Sequence, residues 1–117
     1  MISQSYSNST LLISSNYAIV MNIGSAIKNL RKQKGFKQTE FADKCGLSQS
    51  YLSSIEKGRK EPTLSILKQI ANALAIPTPV LVFFAMDLED VAATKRDAYK
   101  LLEPSLKAMM NDVFISQ

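Results

Sequence analysis

Hydrophobic residues recur at every third or fourth position through most of the chain after residue 20, and this spacing predicts α-helices. The first stripe, at Ile23, Ile27 and Leu30, predicts an amphipathic helix over 23–34 that ends at Gly35. Its Lys and Arg residues lie mostly off the stripe. The patterned region therefore begins with a helix that has one apolar face and one basic face.

Two more helices are predicted beyond Thr63, which can cap the first of them. Pro77 ends that helix, and Pro79 suits the first position of a short helix over 80–86 that is apolar nearly all round. A helix of that kind is expected to be buried on more than one side. The helix after Thr63 has a stripe expected to face the core, at Leu64, Leu67, Ile70, Ala71 and Leu74.

Between these regions, residues 38–58 predict two short helices joined by a tight turn. Gly46 can adopt a positive φ and end the first helix, and the hydroxyl of Ser48 can cap the second. The apolar side chains of the second helix lie on one face, and Gly58 is predicted to end it. The remaining side chains project elsewhere and form a polar, nearly uncharged set: Gln49, Ser50, Tyr51, Ser53, Ser54 and Lys57.

This segment resembles the helix-turn-helix of lambda-repressor-like (Cro/repressor-type, XRE family) DNA-binding domains, and the resemblance extends over about 23–86. It implies an all-α fold in which a five-helix DNA-binding domain occupies 21–86. For a Ser- and Gln-rich helix taken alone, the alternative is an ordinary helical hairpin with a solvated polar face. The residues that carry the resemblance are Gln38, Ala42, Gly46, Leu52 and Ile55.

The resemblance implies that helix 48–57 enters the major groove of double-stranded DNA, with no cofactor. Gln38 is also expected to brace Gln49, which can make paired hydrogen bonds to adenine. This chain has Gln49-Ser50 where the family usually has two neighbouring Gln residues, so the preferred bases cannot be carried over. The predicted base-reading residues are Gln49, Ser50, Tyr51 and Ser54. The predicted phosphate-binding residues are Lys37, Gln38, Ser48, Arg59 and Lys60.

The resemblance also implies an ion pair between Arg31, near the end of the first helix, and Glu56, late in the reading helix. Such a pair would hold the two helices together and orient Arg31 for a phosphate. The alternative is an exposed, unpaired arginine that contributes little to stability.

Charge is distributed unevenly along the chain. Residues 21–86 contain ten Lys or Arg and four acids, a net +6, whereas residues 87–117 contain four and six, a net −2. Concentrated positive charge favours binding to phosphates, although a basic soluble surface has the same composition.

An enzyme is the least favoured class, because the chain has no His and a single Cys. Cys45 lies on an apolar face and is expected to be a buried thiol. Asp87, Glu89 and Asp90 are close in sequence, but a solvated acidic turn is favoured over a metal site. No metal or cofactor is predicted.

Residues 87–117 extend beyond a minimal family domain. Thr94 and Asp97 suggest a capping box, and Glu103-Pro104 is expected to divide the segment into a hairpin of two helices. The second helix has the apolar stripe Leu106, Met109, Met110, Val113 and Phe114. That stripe is predicted to bury itself against a second copy, making a homodimer, with a cap on the same chain as the alternative. A protein-interaction module, such as an antitoxin-like protein that binds a partner through 80–86 and 106–114, is the rival function.

Residues 1–20 are rich in Ser and Asn, carry no charge and are predicted to be a disordered leader, with a β-forming arm over 11–20 as the alternative. Translation from Met21 is a further hypothesis. No stretch of about 18 apolar residues is present, so no membrane span is predicted. A cytoplasmic protein is expected.

Overall fold

The computed structural model describes residues 22–116, and the predictions for residues 1–20 lie outside this range. Within it the secondary structure is helical, without strands. Six α-helices follow one another: α1 Ile23–Gln33, α2 Gln38–Cys45, α3 Gln49–Glu56, α4 Leu64–Ala73, α5 Thr78–Ala85 and α6 Arg96–Met110. Two 3₁₀ turns, Leu88–Asp90 and Ala93–Lys95, precede α6, and a π-helical turn, Asn111–Ile115, follows it.

The first five helices surround one hydrophobic core. Helix α1 packs against α3 and α5, α2 packs against α3 and α4, and α4 packs against α5. Each of these helices contributes apolar side chains to the core. The described residues form helices and no strands, so the all-α prediction is confirmed. The largest fully buried apolar side chains of α1–α5 and the residue after α4 are Ile27, Leu30, Phe41, Leu52, Ile55, Ile70, Leu74 and Leu81.

Helix α1 approaches α3 so closely that only glycine fits at position 24. A Cβ atom there would lie 2.3 Å from the carbonyl oxygen of Ile55 and 3.0 Å from that of Glu56. Gly24 is itself buried in the first turn of α1. The missing side chain therefore sets the distance between α1 and the C-terminal end of α3.

Two predictions near α4 and α5 need correction. Leu64, predicted to face the core, is 60% exposed, whereas Pro62 is fully buried, so the chain enters the core at the proline. The Thr63 hydroxyl caps α4 as predicted, accepting the N–H of Ile66 at 3.2 Å. Helix α5 begins at Thr78, two residues before the predicted start, and ends at Ala85.

The predicted C-terminal hairpin is wrong, because α6 continues through Pro104 as one helix of 15 residues. Pro104 is exposed, so water can solvate the carbonyl that loses its hydrogen bond at this position. The Thr94 capping box is also not formed. Instead, the Arg96 Nε donates to the carbonyl oxygens of Leu88 and Val91 at 3.1 and 2.9 Å and ties the start of α6 to the preceding turns.

Helix α6 has no fully buried residue, and the segment docks on the rest of the molecule mainly through the turn that follows it. Ile115 is 4% exposed and belongs to the core. Met110 and Phe114 are half-buried against the core, and the Lys34 Nζ donates to the Phe114 carbonyl oxygen at 3.0 Å. Four large apolar side chains of the segment remain exposed: Leu101 (83%), Leu102 (58%), Met109 (59%) and Val113 (71%).

In the described range, no single helix is long and apolar enough to cross a membrane, although α4 and α5 taken together, with a 100° bend, meet the criteria of length and composition.

Candidate nucleic-acid interface

The turn between α2 and α3 is built from local hydrogen bonds. Gly46 has φ 73°, and its N–H donates to the Asp43 carbonyl oxygen at 3.0 Å. The next N–H, of Leu47, donates to the Ala42 carbonyl oxygen at 2.9 Å. The Ser48 hydroxyl then accepts the N–H of Tyr51 at 3.1 Å, so one helix ends and the next begins within three residues, as predicted.

The two faces of α3 differ sharply in exposure. Leu52 and Ile55 are 0% exposed and hold the helix against the core. Gln49 and Ser50 are exposed, and Ser54 is half-buried. The Gln49 amide and the Ser50 hydroxyl are therefore presented to solvent at the N-terminal end of α3, where they can donate and accept hydrogen bonds.

Arg31 and Glu56 form a buried, bidentate ion pair. The Arg31 Nε lies 2.7 Å from Glu56 Oε2, and Nη2 lies 3.1 Å from Oε1, with side-chain exposures of 8% and 3%. The Arg31 Nη1 also donates to the Phe36 carbonyl oxygen at 2.8 Å. The pair joins α1 to α3, but Arg31 is too deeply buried for the phosphate contact expected from the sequence.

The ion pair continues as a chain of hydrogen bonds to the surface. The Gln38 Nε2 donates to Glu56 Oε1 at 3.1 Å. The Gln49 Nε2 then donates to Gln38 Oε1 at 3.2 Å, which is the expected brace. Four residues from three helices thus connect the interior of the domain to Gln49, and the orientation of its amide is set before any ligand binds.

Cations surround this polar face. Lys37, Arg59 and Lys60 are all exposed, the first at the start of α2 and the others just after α3. The backbone N–H groups of Arg59 and Lys60 donate to the Ser54 carbonyl oxygen at 2.8 and 3.2 Å. The loop that carries two of the predicted phosphate-binding residues is therefore attached to α3 itself.

Tyr51 occupies a different position from the other predicted base-reading residues. Its ring is half-buried and packs against the hydrophobic core. The Lys60 Nζ lies 5.8 Å from the centre of the ring. Ser48, predicted to bind phosphate, uses its oxygen as the cap of α3 and lies 3.4 Å from the Ser50 hydroxyl.

Sequence reasoning did not single out Gly24 or the Phe36 carbonyl. A glycine inside a strongly amphipathic helix was the available signal for the first, since it costs helix stability unless close packing requires it. No sequence signal indicates that a backbone oxygen would accept a hydrogen bond from Arg31.

Cys45 and the acidic residues near Asp87, which were considered for enzyme chemistry, are buried or take part in hydrogen bonds within the fold. Cys45 is 4% exposed, and burial, with a smaller contribution from the charge of Glu56, raises its pKa to about 11. At neutral pH it is therefore a protonated thiol rather than a nucleophile. The Asn22 Nδ2 donates a hydrogen bond to Asp87 Oδ2 at 2.8 Å, and the Asp87 backbone N–H donates to Asp90 Oδ2 at 2.7 Å. Within residues 22–116, no group of His, Cys, Asp or Glu side chains is placed to hold a metal ion.

A glycine turn, a capped second helix with an exposed polar face, and a buried ion pair behind it together define a helix-turn-helix protein. Comparison with known proteins agrees: residues 27–81 match the helix-turn-helix family model. The immunity repressor protein of Bacillus phage phi105 is 42% identical over 62 residues, which are 53% of this chain and 43% of that protein. The uncharacterized HTH-type transcriptional regulator y4dJ of Sinorhizobium fredii is 43% identical over 60 residues, which are 51% of this chain and 78% of that protein.

Among solved structures, the restriction-modification controller protein C.AhdI from Aeromonas hydrophila superposes with a TM-score of 0.52 at 32% identity, covering 56% of this chain and 98% of that one. The chain therefore belongs to the lambda-repressor-like (XRE-type) helix-turn-helix family. The chain spans less than half of the phage repressor, so the likeness to that protein is confined to the region around the helix-turn-helix.

Proposed function

We propose that this protein is a sequence-specific, DNA-binding transcriptional regulator, and specifically a repressor, that places α3 in the major groove of a partly palindromic operator. One observation supports the proposal above the others: Gln49 is exposed at the start of α3 and its amide is held by the chain from Arg31 through Glu56 and Gln38. A side chain oriented in advance loses less conformational entropy on binding. The repressor assignment follows the name of the phage phi105 relative. A repressor that blocks transcription from bacterial or phage DNA would act in the cytoplasm.

Two groups of residues divide the work in this proposal. Gln49, Ser50 and Ser54 contact base edges, where amides and hydroxyls distinguish base pairs. Lys37, Arg59 and Lys60 bind phosphates and supply affinity without sequence information. Ser48 and Gln38 lie at the starts of α3 and α2, where free backbone N–H groups also favour a phosphate. Tyr51, the remaining predicted base-reading residue, is half-buried and packs against the core.

A homodimer is the second part of the proposal. One reading helix contacts only a few base pairs, and two half-sites about 34 Å apart would be read by two copies. An exposed apolar face on α6 and the turn that follows it, called here the α6 face, is formed by Leu101, Leu102, Met109 and Val113 and offers a surface to a second copy. A stable interface buries roughly 800 Å² and about 20–30 residues per partner, which is more than these four side chains supply. We therefore expect a weak dimer that DNA strengthens by holding two copies on adjacent half-sites.

Selection of bound oligonucleotides from a random pool tests the DNA-binding proposal. The wild-type protein should enrich a motif with two inverted half-sites. Gln49→Ala should relax the preference at one position per half-site, by about 1–3 kcal/mol, and Lys60→Ala should weaken binding to all sequences alike. Lys100→Ala, an exposed lysine on α6, is the matched control and should change neither. Loss of the same specificity in the Gln49 and Lys60 variants would contradict the division of roles.

Analytical ultracentrifugation over a range of concentrations tests the dimer. Leu102→Ser should shift the protein to monomer, whereas Leu64→Ser should not, although the two leucines have exposures of 58% and 60%. Only Leu102 belongs to the α6 face. A monomer at all concentrations, both free and on a two-half-site DNA, would instead favour a different protein partner on this face, as an antitoxin-like module would have.

A further inference from the structure

We propose that Tyr51 is a positioning residue: its ring holds the Lys60 ammonium group at the edge of the reading helix and so places this cation for a DNA phosphate. This inference rests on the proposed function and deepens it. It moves Tyr51 from base reading to the control of backbone contacts.

The first support is the geometry of the pair. The Lys60 Nζ lies 5.8 Å from the centre of the Tyr51 ring, within the range at which a cation is attracted to the face of an aromatic ring. The ring is itself half-buried and packed on the core, so it is a fixed platform. Lys60 is exposed, and without the ring its long side chain would sample many rotamers.

The second support comes from the backbone. The Lys60 N–H donates to the Ser54 carbonyl oxygen at 3.2 Å, and the Arg59 N–H donates to the same oxygen at 2.8 Å. Ser54 is three residues after Tyr51, and residues at this spacing are neighbours on a helix surface. Both ends of Lys60 are therefore attached to adjacent positions of α3.

These two attachments have a consequence for recognition. Because of them, the position of the Lys60 ammonium group is fixed relative to α3 when α3 lies in the groove. A phosphate bound by Lys60 would then determine the depth and register at which Gln49 meets the bases. Base reading by Tyr51, in contrast, would use its hydroxyl, which Tyr51→Phe removes while the ring stays in place.

Substitutions that separate the ring from the hydroxyl test the proposal, with affinity measured on the selected operator, on single-base variants of it and as a function of salt. Tyr51→Phe keeps the ring and should bind like the wild type. Tyr51→Leu should weaken binding to every sequence by about two- to fivefold, the effect expected for an exposed cation–π pair. It should also reduce the salt dependence in the same direction as Lys60→Ala, which removes one phosphate contact.

A double-mutant cycle provides the sharper criterion. In the Lys60→Ala background, Tyr51→Leu should cause no further uniform loss, whereas additive losses would overturn the proposal. Lys60→Arg should retain the ring contact and the affinity, and a loss there equal to that of Lys60→Ala would also overturn it. Thermal unfolding of each variant separates positioning from a loss of folding.

Two outcomes would return Tyr51 to base reading and refute the proposal. The first is a change of preference at one base pair in Tyr51→Phe, and the second is the same change in Tyr51→Leu with other positions unaffected. Failure of the proposed DNA-binding function can be told apart from failure of the Tyr51 proposal, because the wild-type protein would then select no motif at all.

Discussion

The five-helix body and the C-terminal segment are both helical, yet they are stabilised in different ways. In α1–α5, every helix contributes to one core, and a buried ion pair with further hydrogen bonds connects α1, α2 and α3. Helix α6 has no fully buried residue, and its ion pair, Lys107–Glu103 at 3.0 Å, is partly exposed. The comparison shows that amphipathic spacing predicts a helix but does not determine how much of its apolar face the same chain covers.

The largest expected difference between the regions concerns their ion pairs. Glu56→Ala should lower the free energy of unfolding by about 3–5 kcal/mol, because it leaves Arg31 charged and buried without its partner. The matched change Glu103→Ala, in the partly exposed pair of α6, should cost less than about 1 kcal/mol. Urea unfolding measures both. If Glu56→Ala unfolds the domain, Glu56→Gln keeps the shape and should give an intermediate loss. Equal losses of unfolding free energy for Glu56→Ala and Glu103→Ala would show that the buried and the partly exposed ion pairs contribute alike.

Matched leucines test the hydrophobic part of the comparison. Leu81→Ala, at a position that is 0% exposed, should lower the free energy of unfolding by about 2–5 kcal/mol. Leu101→Ala, at a position that is 83% exposed, should change it by less than about 0.5 kcal/mol in the monomer. Thermal and urea unfolding at low protein concentration measure these values. A large loss for Leu101→Ala would mean that α6 is covered even in the isolated chain.

Close packing within the body gives the third prediction. Gly24→Ala should destabilise the domain by about 1–3 kcal/mol, because the new methyl group would meet the Ile55 carbonyl oxygen at 2.3 Å. Ser25→Ala, one residue later and exposed, is the control and should have little effect. Since the displaced helix holds Arg31, we also expect Gly24→Ala to weaken DNA binding. An unchanged melting temperature in Gly24→Ala would show that α1 can move away from α3 without cost.

The smallest expected effect is a stabilisation. Ala75 follows α4 with φ 60°, a left-handed conformation that costs a residue with a Cβ about 1–2 kcal/mol and glycine nearly nothing. Ala75→Gly removes this strain but increases the conformational freedom of the unfolded chain by about 0.4–1 kcal/mol. The net gain should be below about 1 kcal/mol, measured by urea unfolding. A loss of stability would show that the strain at Ala75 is smaller than the conformational freedom that glycine adds to the unfolded chain.

Much of the fold was predictable because it depends on local signals. The spacing of Ile23, Ile27 and Leu30 predicted α1, and Gly46 and Ser48 predicted the turn before α3. The wrong predictions depend on how a segment packs against the rest of the chain. Pro62 rather than Leu64 is buried, and Pro104 lies inside α6 with its side chain exposed to solvent.

In the candidate site, too, features that depend on local signals were predictable, and features that depend on packing were not. The sequence identified an exposed polar face on α3 and the partners Arg31 and Glu56, and resemblance to a family supplied their relation. It did not show that Arg31 would be too buried for a phosphate or that Lys60 would lie over Tyr51. These contacts join residues from different helices or from a helix and a loop, and no local pattern encodes their distances.

The sequence by itself therefore determined where helices begin and end around the turn, and which side chains of α3 face away from the core, because capping, glycine conformation and periodicity act within a few residues. Only the tertiary structure decided the chain of contacts from Arg31 to Gln49, the close approach at Gly24 and the exposed apolar face of α6. Those features depend on how whole helices pack, and packing is set by the combined shape of many residues far apart in the chain.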